Sequence, residues 1–433
     1  MKRGLKRFFN KKILSIILAA CITFGAAGCT SDGDVVVYGD NGENKTPISL
    51  AWWGNDARVT YTMDGVSVFE QLNPDISVKC KYGVWAGYTR RQNIYMLSHD
   101  EPDVMQVNFD WIKTYSPDGK GFYDMYKLTD YIDLSNFTDA DLSYGTVEGR
   151  LNAIPIALNT HCIFVNKDVY DQYGLDIPKT WDDFFEDAKV MREDGIYPIS
   201  MGDKQMFFFV LAYFEQTTGK EACDKDGSLI LERDDIKIML DFYKKLHKEK
   251  VLMPIQTSDF SAFANKLSAS CMRWISGSQT MFNGLFNENV NIVPAPFPTV
   301  DGSMDDVKSL DWYVKPATLY AISNKTEHQE EAAKLVNFLL NSPEMARLQQ
   351  TEKGVPISKT ARKVLEDEGY LDNLDFIASE QMFKYGDKLK LMHPILEKED
   401  VFGVFFNESA YYIYDERTLD ETAETIYNKW YKK

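Results

Sequence analysis

The chain has 433 residues, 44% hydrophobic and 26% charged, with 48 Lys and Arg against 65 Asp and Glu for a net charge of −17. That is globular composition, which excludes a wholly disordered or fibrous chain, and the length supports roughly two to three domains' worth of core. So acidic a body repels phosphate backbones, which argues against nucleic acid as a partner.

Lys2, Arg3, Lys6, Arg7, Lys11 and Lys12 form a basic start, followed by an apolar run from Ile13 to Phe24 and then Gly25-Ala26-Ala27-Gly28. The apolar stretch is too short for a bilayer span and reads as a secretory signal over 1–28. Ala26-Ala27-Gly28-Cys29 resembles the bacterial lipobox, with Ala26 where Leu is usual. The resemblance implies lipidation of Cys29 and a protein held on the outer face of the cell membrane by several acyl chains. Residues 29–45 are rich in Gly, Asp and Asn and read as a flexible tether. Cys80, Cys162 and Cys271 sit in apolar runs and are expected to be buried, with any disulfide among the cysteines left open. His99, His161, His247, His328 and His393 are scattered without metal spacing, so no metal or cofactor is expected.

Alternation over Ile48–Trp52 predicts a strand. Val59, Met63, Val66, Phe69 and Leu72 then recur at helical spacing until Asn73-Pro74. Ile76–Cys80 is a second strand, Tyr88–Leu97 a weaker helix and Asp103–Val107 a third strand. This β-α-β-α-β order implies a parallel sheet with helices packed on it. Further on, Cys162–Val165 reads as a strand, Thr180 caps a helix with Asp183 reaching back, and Asp224–Ser228 looks like a hairpin turn. Residues 234–250 and 327–341 are amphipathic helices, and Ser342-Pro343 starts another.

Open α/β sheets place ligands beyond the carboxyl ends of their strands. The loops there read Trp53-Gly-Asn-Asp56-Ala-Arg58, then Trp85 within 82–88, then Asn108-Phe-Asp110-Trp111. Each brings rings, and the first and third add polar groups. A sugar has an apolar face for stacking and a rim of hydroxyls for directional hydrogen bonds, so this mixture suits a carbohydrate. Trp52, on the same strand face as Ile48 and Leu50, is expected in the core, as are Trp181 and Trp430.

The order of motifs resembles the bacterial extracellular solute-binding family that includes maltose-binding protein, and more closely the carbohydrate-binding lipoproteins of Gram-positive ABC importers. The residues that carry it are Trp52–Arg58, Phe69–Pro74, Pro102–Asn108, Ile154–Thr160, Val165–Asp168, Tyr173–Leu175, Pro178–Asp183, Ala321–Ser323 and Gly354–Pro356. The resemblance implies a two-lobed periplasmic-binding-protein-like α/β fold, each lobe a mostly parallel sheet flanked by helices, joined by a hinge of crossing segments. Its lobes are expected at 46–157 with 319–353, and at 158–318 with 354–433. It places Asp56 and Arg58 where the family's first loop grips sugar hydroxyls, Asp110 where a cleft acid sits, and Asn159 at a crossover where maltose-binding protein has Glu. Trp274 falls near the second lobe's stacking Trp, Trp312 and Tyr313 near a third crossover, and Phe207 near a ring-bearing segment; a buried apolar helix is the other reading of Phe207–Phe209. A monomer that closes on an oligosaccharide and docks on a membrane permease is implied, with no chemistry of its own.

A glycoside-cleaving enzyme needs paired carboxylates, and Asp56 with Asp110 is the pair such a site would use. The same fold taking a polyamine is the other alternative, against which Arg58 stands.

Overall fold

A computed structural model describes residues 35–37, 45–254, 260–370 and 373–432. The expected signal segment and the lipid-bearing Cys29 lie outside them. Among the described residues no helix is long and apolar enough to cross a membrane.

The strands predicted at Ile48, Ile76 and Asp103 are Thr46–Trp53, Ile76–Gly83 and Val104–Val107, and the first pairs parallel with both others. Between them run helices Asp56–Leu72 and Trp85–Ser98. Asn55 caps the first of these, its Oδ1 accepting from Arg58 N at 3.0 Å, and Asn73 ends it just before Pro74. The Thr180–Asp183 capping box and the Ser342 cap with Pro343 behind it stand as the sequence indicates.

Parallel pairing does not extend through the molecule. Strand Tyr313–Ile322 pairs antiparallel with Val104–Val107 on one side and with Ala153–Asn166 on the other. Ala153–Asn166 then pairs antiparallel with Ser268–Trp274, beside which Tyr197–Ser200 lies parallel. The 14 residues of Ala153–Asn166 span roughly 45 Å at the usual strand rise. That is long enough to run from one lobe into the other, and almost every side chain on both faces is buried.

Each lobe has its own cores. In the first, Trp52 packs with Ile48, Leu50, Phe69 and Val336 on one sheet face, while Trp53 joins Tyr88, Met105, Val107 and Trp111 on the other. The second is dominated by Phe184, Phe207, Phe209, Phe242 and Phe405, with Trp181 buried among them. Trp430 stacks on Phe405 and donates to Val401 O at 3.1 Å. Cys80, Cys162, Cys223 and Cys271 are all buried free thiols.

Three expectations need correction. Val35–Val37, read as part of the tether, adds an antiparallel edge strand on Cys80–Tyr82. Helix Lys359–Asp367 packs on the first lobe, not the second: Thr360 donates to Asn136 Oδ1 from its amide and hydroxyl at 3.0 and 2.7 Å, and Ser358 Oγ donates to Asn341 Oδ1 at 2.8 Å. The Asp224–Ser228 turn is not flanked by strands. Asp224 Oδ1 takes the amides of Asp226 and Ser228, closing a side-chain turn beside the lone bridge of Cys223 with Leu229.

Candidate functional site

Three segments cross near the middle of the molecule: Ala153–Asn166, Tyr313–Ile322 and the stretch from Glu352 to Pro356. The register of the first two slips around Thr318, a bulge of the kind that re-aims side chains beside a site. Gly354 has φ +96°, and a Cβ there would stand 2.9 Å from Ala157 Cβ, so only glycine fits where the third crossing meets the first. Against these crossings opens a cleft of about 390 Å³, within the range of small-molecule sites.

One wall comes from the first lobe. Trp53 and Trp85 line the cleft, ring centroids 5.0 Å apart and edge to face. Trp111 lies behind Trp85, parallel to within 9° at 5.7 Å. Trp85 is 46% exposed while Trp53 is 8% and Trp111 5%, so Trp85 offers a free face and Trp111 holds it flat. The three predicted strand-end loops therefore converge. Asn108 also lines the cleft and donates from Nδ2 to Asp110 Oδ1 at 2.5 Å. Burial raises the Asp110 carboxyl above its ordinary range, Glu397 adds to the rise and Lys315 opposes it. Arg58 lines the cleft and donates from Nη2 to Glu352 O at 2.7 Å, tying helix Asp56–Leu72 to the third crossing. Asp56, two residues earlier, is exposed on the first turn and does not line the cleft.

The opposite wall centres on Trp274 at the end of strand Ser268–Trp274. Its neighbour Arg273 and the pair Lys204-Gln205, at the start of helix Asp203–Thr218, line the cleft as well. Asn159 donates from Nδ2 to Ser276 Oγ at 2.9 Å and accepts Ser276 N at 3.1 Å, so its amide fixes the loop after Trp274. On the floor, Lys315 Nζ reaches both Glu397 oxygens at 2.7 Å, and Lys204 Nζ stands 3.6 Å from the same carboxylate. Burial alone would raise Glu397; the charges of Lys315 and Lys204 outweigh it and hold it below its ordinary value. Lys353 donates to Tyr320 Oη at 2.9 Å, and burial together with Arg58 holds its amine well below the ordinary lysine range.

Phe207, Trp312 and Tyr313 join Asp56, Asp110 and Trp111 among the expected site residues that do not line the cleft. Phe207 is fully buried, packed edge-on against Phe208 and Phe405. Its helix is apolar on every side because it runs through the core, and only its polar first turn reaches the cleft. Trp312 is buried against Phe297, and Tyr313 is buried with its hydroxyl donating to Glu215 Oε1 at 2.8 Å. Lys315, Ala317 and Thr318, a few residues on, face the cleft instead. Lys353 and Glu397 went unseen, because nothing local in the sequence connects them to the site. Among the described residues no group of three or more His, Cys, Asp or Glu is placed to hold a metal.

Residues 50–346 match the sequence model of the bacterial extracellular solute-binding protein family. The chain belongs to that family. An arabinooligosaccharide-binding protein of Bacillus subtilis is 24% identical to this solute-binding protein over 55% of each chain. Among solved structures, an oligogalacturonide-binding protein of Yersinia enterocolitica, in complex with saturated digalacturonic acid, is 27% identical. It superposes with TM-score 0.77 over 88% of this chain and 96% of that one. A solute-binding protein of Pectobacterium atrosepticum, also 27% identical, reaches TM-score 0.80 over 89% and 98%. The two-lobed architecture of this solute-binding protein is thus that of periplasmic binding proteins.

Proposed function

We propose that this chain is the ligand-capturing subunit of a carbohydrate ABC importer and that the cleft holds an oligosaccharide. The observation that carries the reading is the pairing of an exposed indole, Trp85, on one wall with Trp274 on the other. Polar groups stand between them for hydroxyls: Asn108, Asn159, Gln205 and Thr318. A sugar touching both walls favours the closed arrangement over the open one by its differential contacts, and bending is absorbed at the three crossings. The closed form then docks on the membrane permease. Relatives named for arabinooligosaccharides and oligogalacturonides support the ligand class without choosing within it. Against a polyamine stand the bases on the cleft wall, which repel a cation.

In this reading Cys29 carries the lipid and the chain works at the outer face of the cell membrane. Calorimetry of the folded body against a panel of oligosaccharides tests the capture step; no heat from any of them overturns it. Mass spectrometry of the N-terminal peptide from membranes tests the anchor, with an unmodified thiol at Cys29 as the adverse result.

A further inference from the structure

We propose that the cleft selects an anionic saccharide, one whose rings carry carboxylates, over a neutral one. The inference rests on the oligosaccharide reading and narrows it. Acids outnumber bases in this chain 65 to 48, yet the cleft wall reverses the ratio. It presents Arg58, Lys204, Arg273 and Lys315, with Lys353 buried behind them, against a single acid, Glu397. Two more acids stand nearby: Asp110, bonded by Asn108, and Glu352, whose carboxylate accepts from Thr280 Oγ1. Bases outnumber acids even with both included.

Glu397 is already committed to Lys315, with Lys204 at its edge. The two arginines are not so matched. Arg58 spends Nη2 on a main-chain carbonyl, and its buried Nε has no partner among the described residues. Arg273 Nε and the Thr318 hydroxyl are likewise buried without one. Unmet buried donors are costly. A planar two-oxygen anion answers a guanidinium fork better than a single hydroxyl does. The indoles of Trp53 and Trp85 require that the charge arrive on a ring with an apolar face. Arg58 stands on one wall, Arg273 and Lys204 on the other. Their repulsion opposes closure until an anion lies between them, so charge recognition and closing are one event.

Titration calorimetry with digalacturonate, the neutral galactose disaccharide and its sulfated form tests this. We expect digalacturonate to bind at least about tenfold more tightly than the neutral sugar, and the gap to narrow between about 20 and about 300 mM salt. Arg273→Gln should weaken digalacturonate by about tenfold and so shrink its lead over the neutral sugar. Equal or tighter binding of the neutral disaccharide overturns the charge inference and leaves the oligosaccharide reading standing. Silence from digalacturonate while a neutral oligosaccharide of the wider panel binds overturns the charge inference alone; silence from the whole panel overturns both. Preference for the sulfated form overturns the carboxylate assignment. Should the variant not fold, a salt-independent preference in the unaltered protein is the adverse result.

Discussion

The imidazole of His161 lies beneath the indole of Trp274, ring centroids 3.7 Å apart and planes 30° from parallel. The two residues face each other across the pairing of Ala153–Asn166 with Ser268–Trp274. Phe208 closes the other side of the imidazole at 5.1 Å, and Gln205 Nε2 stands 3.5 Å from its Nε2. His161 is thus a positioning residue for a cleft indole, and its charge state matters. Complete burial holds its pKa well below the ordinary 6.5, and the charges of Lys204 and Lys315 push the same way. The unfolded chain takes up that proton near pH 6.5 and the folded one does not, so stability drops as pH falls below 6.5. Glu215 and Asp187 act oppositely: burial raises both to about 7, so the folded state holds their protons more tightly and loses stability as pH rises from the ordinary carboxyl range towards 7. The contribution of His161 therefore shows in a difference. Thermal melts from pH 7.5 to 5 are expected to fall less steeply for His161→Phe than for the unaltered protein; parallel curves would remove the claim.

Trp85 and Trp111 separate binding from stability. Trp85 is 46% exposed and Trp111 5%. Trp85→Ala is expected to leave the melting temperature nearly unchanged while weakening sugar binding roughly 2- to 13-fold, the worth of one stacking contact at about 0.5–1.5 kcal/mol. Trp111→Ala removes a buried indole and is expected to cost about 3–5 kcal/mol of stability, with Trp85 losing its backing. Calorimetry paired with urea unfolding checks both. A Trp85 variant that binds normally would place the sugar elsewhere.

What the sequence made legible was whatever local periodicity determines. Strand, helix and strand again put Trp53, Trp85 and Asn108 at one edge, so their convergence follows from the order of elements. Phe207 misled because a run of three phenylalanines is equally natural in a core helix, and here only its polar start, Lys204-Gln205, reaches the cleft. Trp312 and Tyr313 misled because the resemblance set the crossover a few residues early: Lys315, Ala317 and Thr318 are the residues of this segment that line the cleft. Lys353, in a turn, and Glu397, at the end of the short helix Pro394–Glu397, lie hundreds of residues from Trp53, and only the folded chain brings them there.

Gly354 is the most constrained point of the third crossing. Gly354→Ala asks an L residue to hold φ +96° and sets its Cβ 2.9 Å from that of Ala157. A cost of roughly 1–3 kcal/mol is expected. The strain falls where closing bends the chain, so sugar affinity should drop as well as stability. Calorimetry and melting curves together check it. Normal values for both would mean that the crossing yields without cost.

The ion pair of Lys315 with Glu397 is deeply buried in the cleft floor, the side chains 8% and 5% exposed. Taking two charges from water is costly, and only their contact offsets it. Glu397→Gln leaves Lys315 beside Lys204 without its counter-charge, and a loss of roughly 3–5 kcal/mol is expected. Replacing both, as Lys315→Met with Glu397→Leu, removes the desolvation cost together with the attraction and should fall near the stability of the unaltered protein. The acid dependence has a definite sign. Glu397 is held below its ordinary 4.5 in the folded state. Its contribution is therefore complete above that value and disappears as pH falls through the lowered one. Urea unfolding at pH 7 and pH 4 for the single and double variants checks the argument. A single variant no less stable than the double would show that water, not Glu397, compensates Lys315.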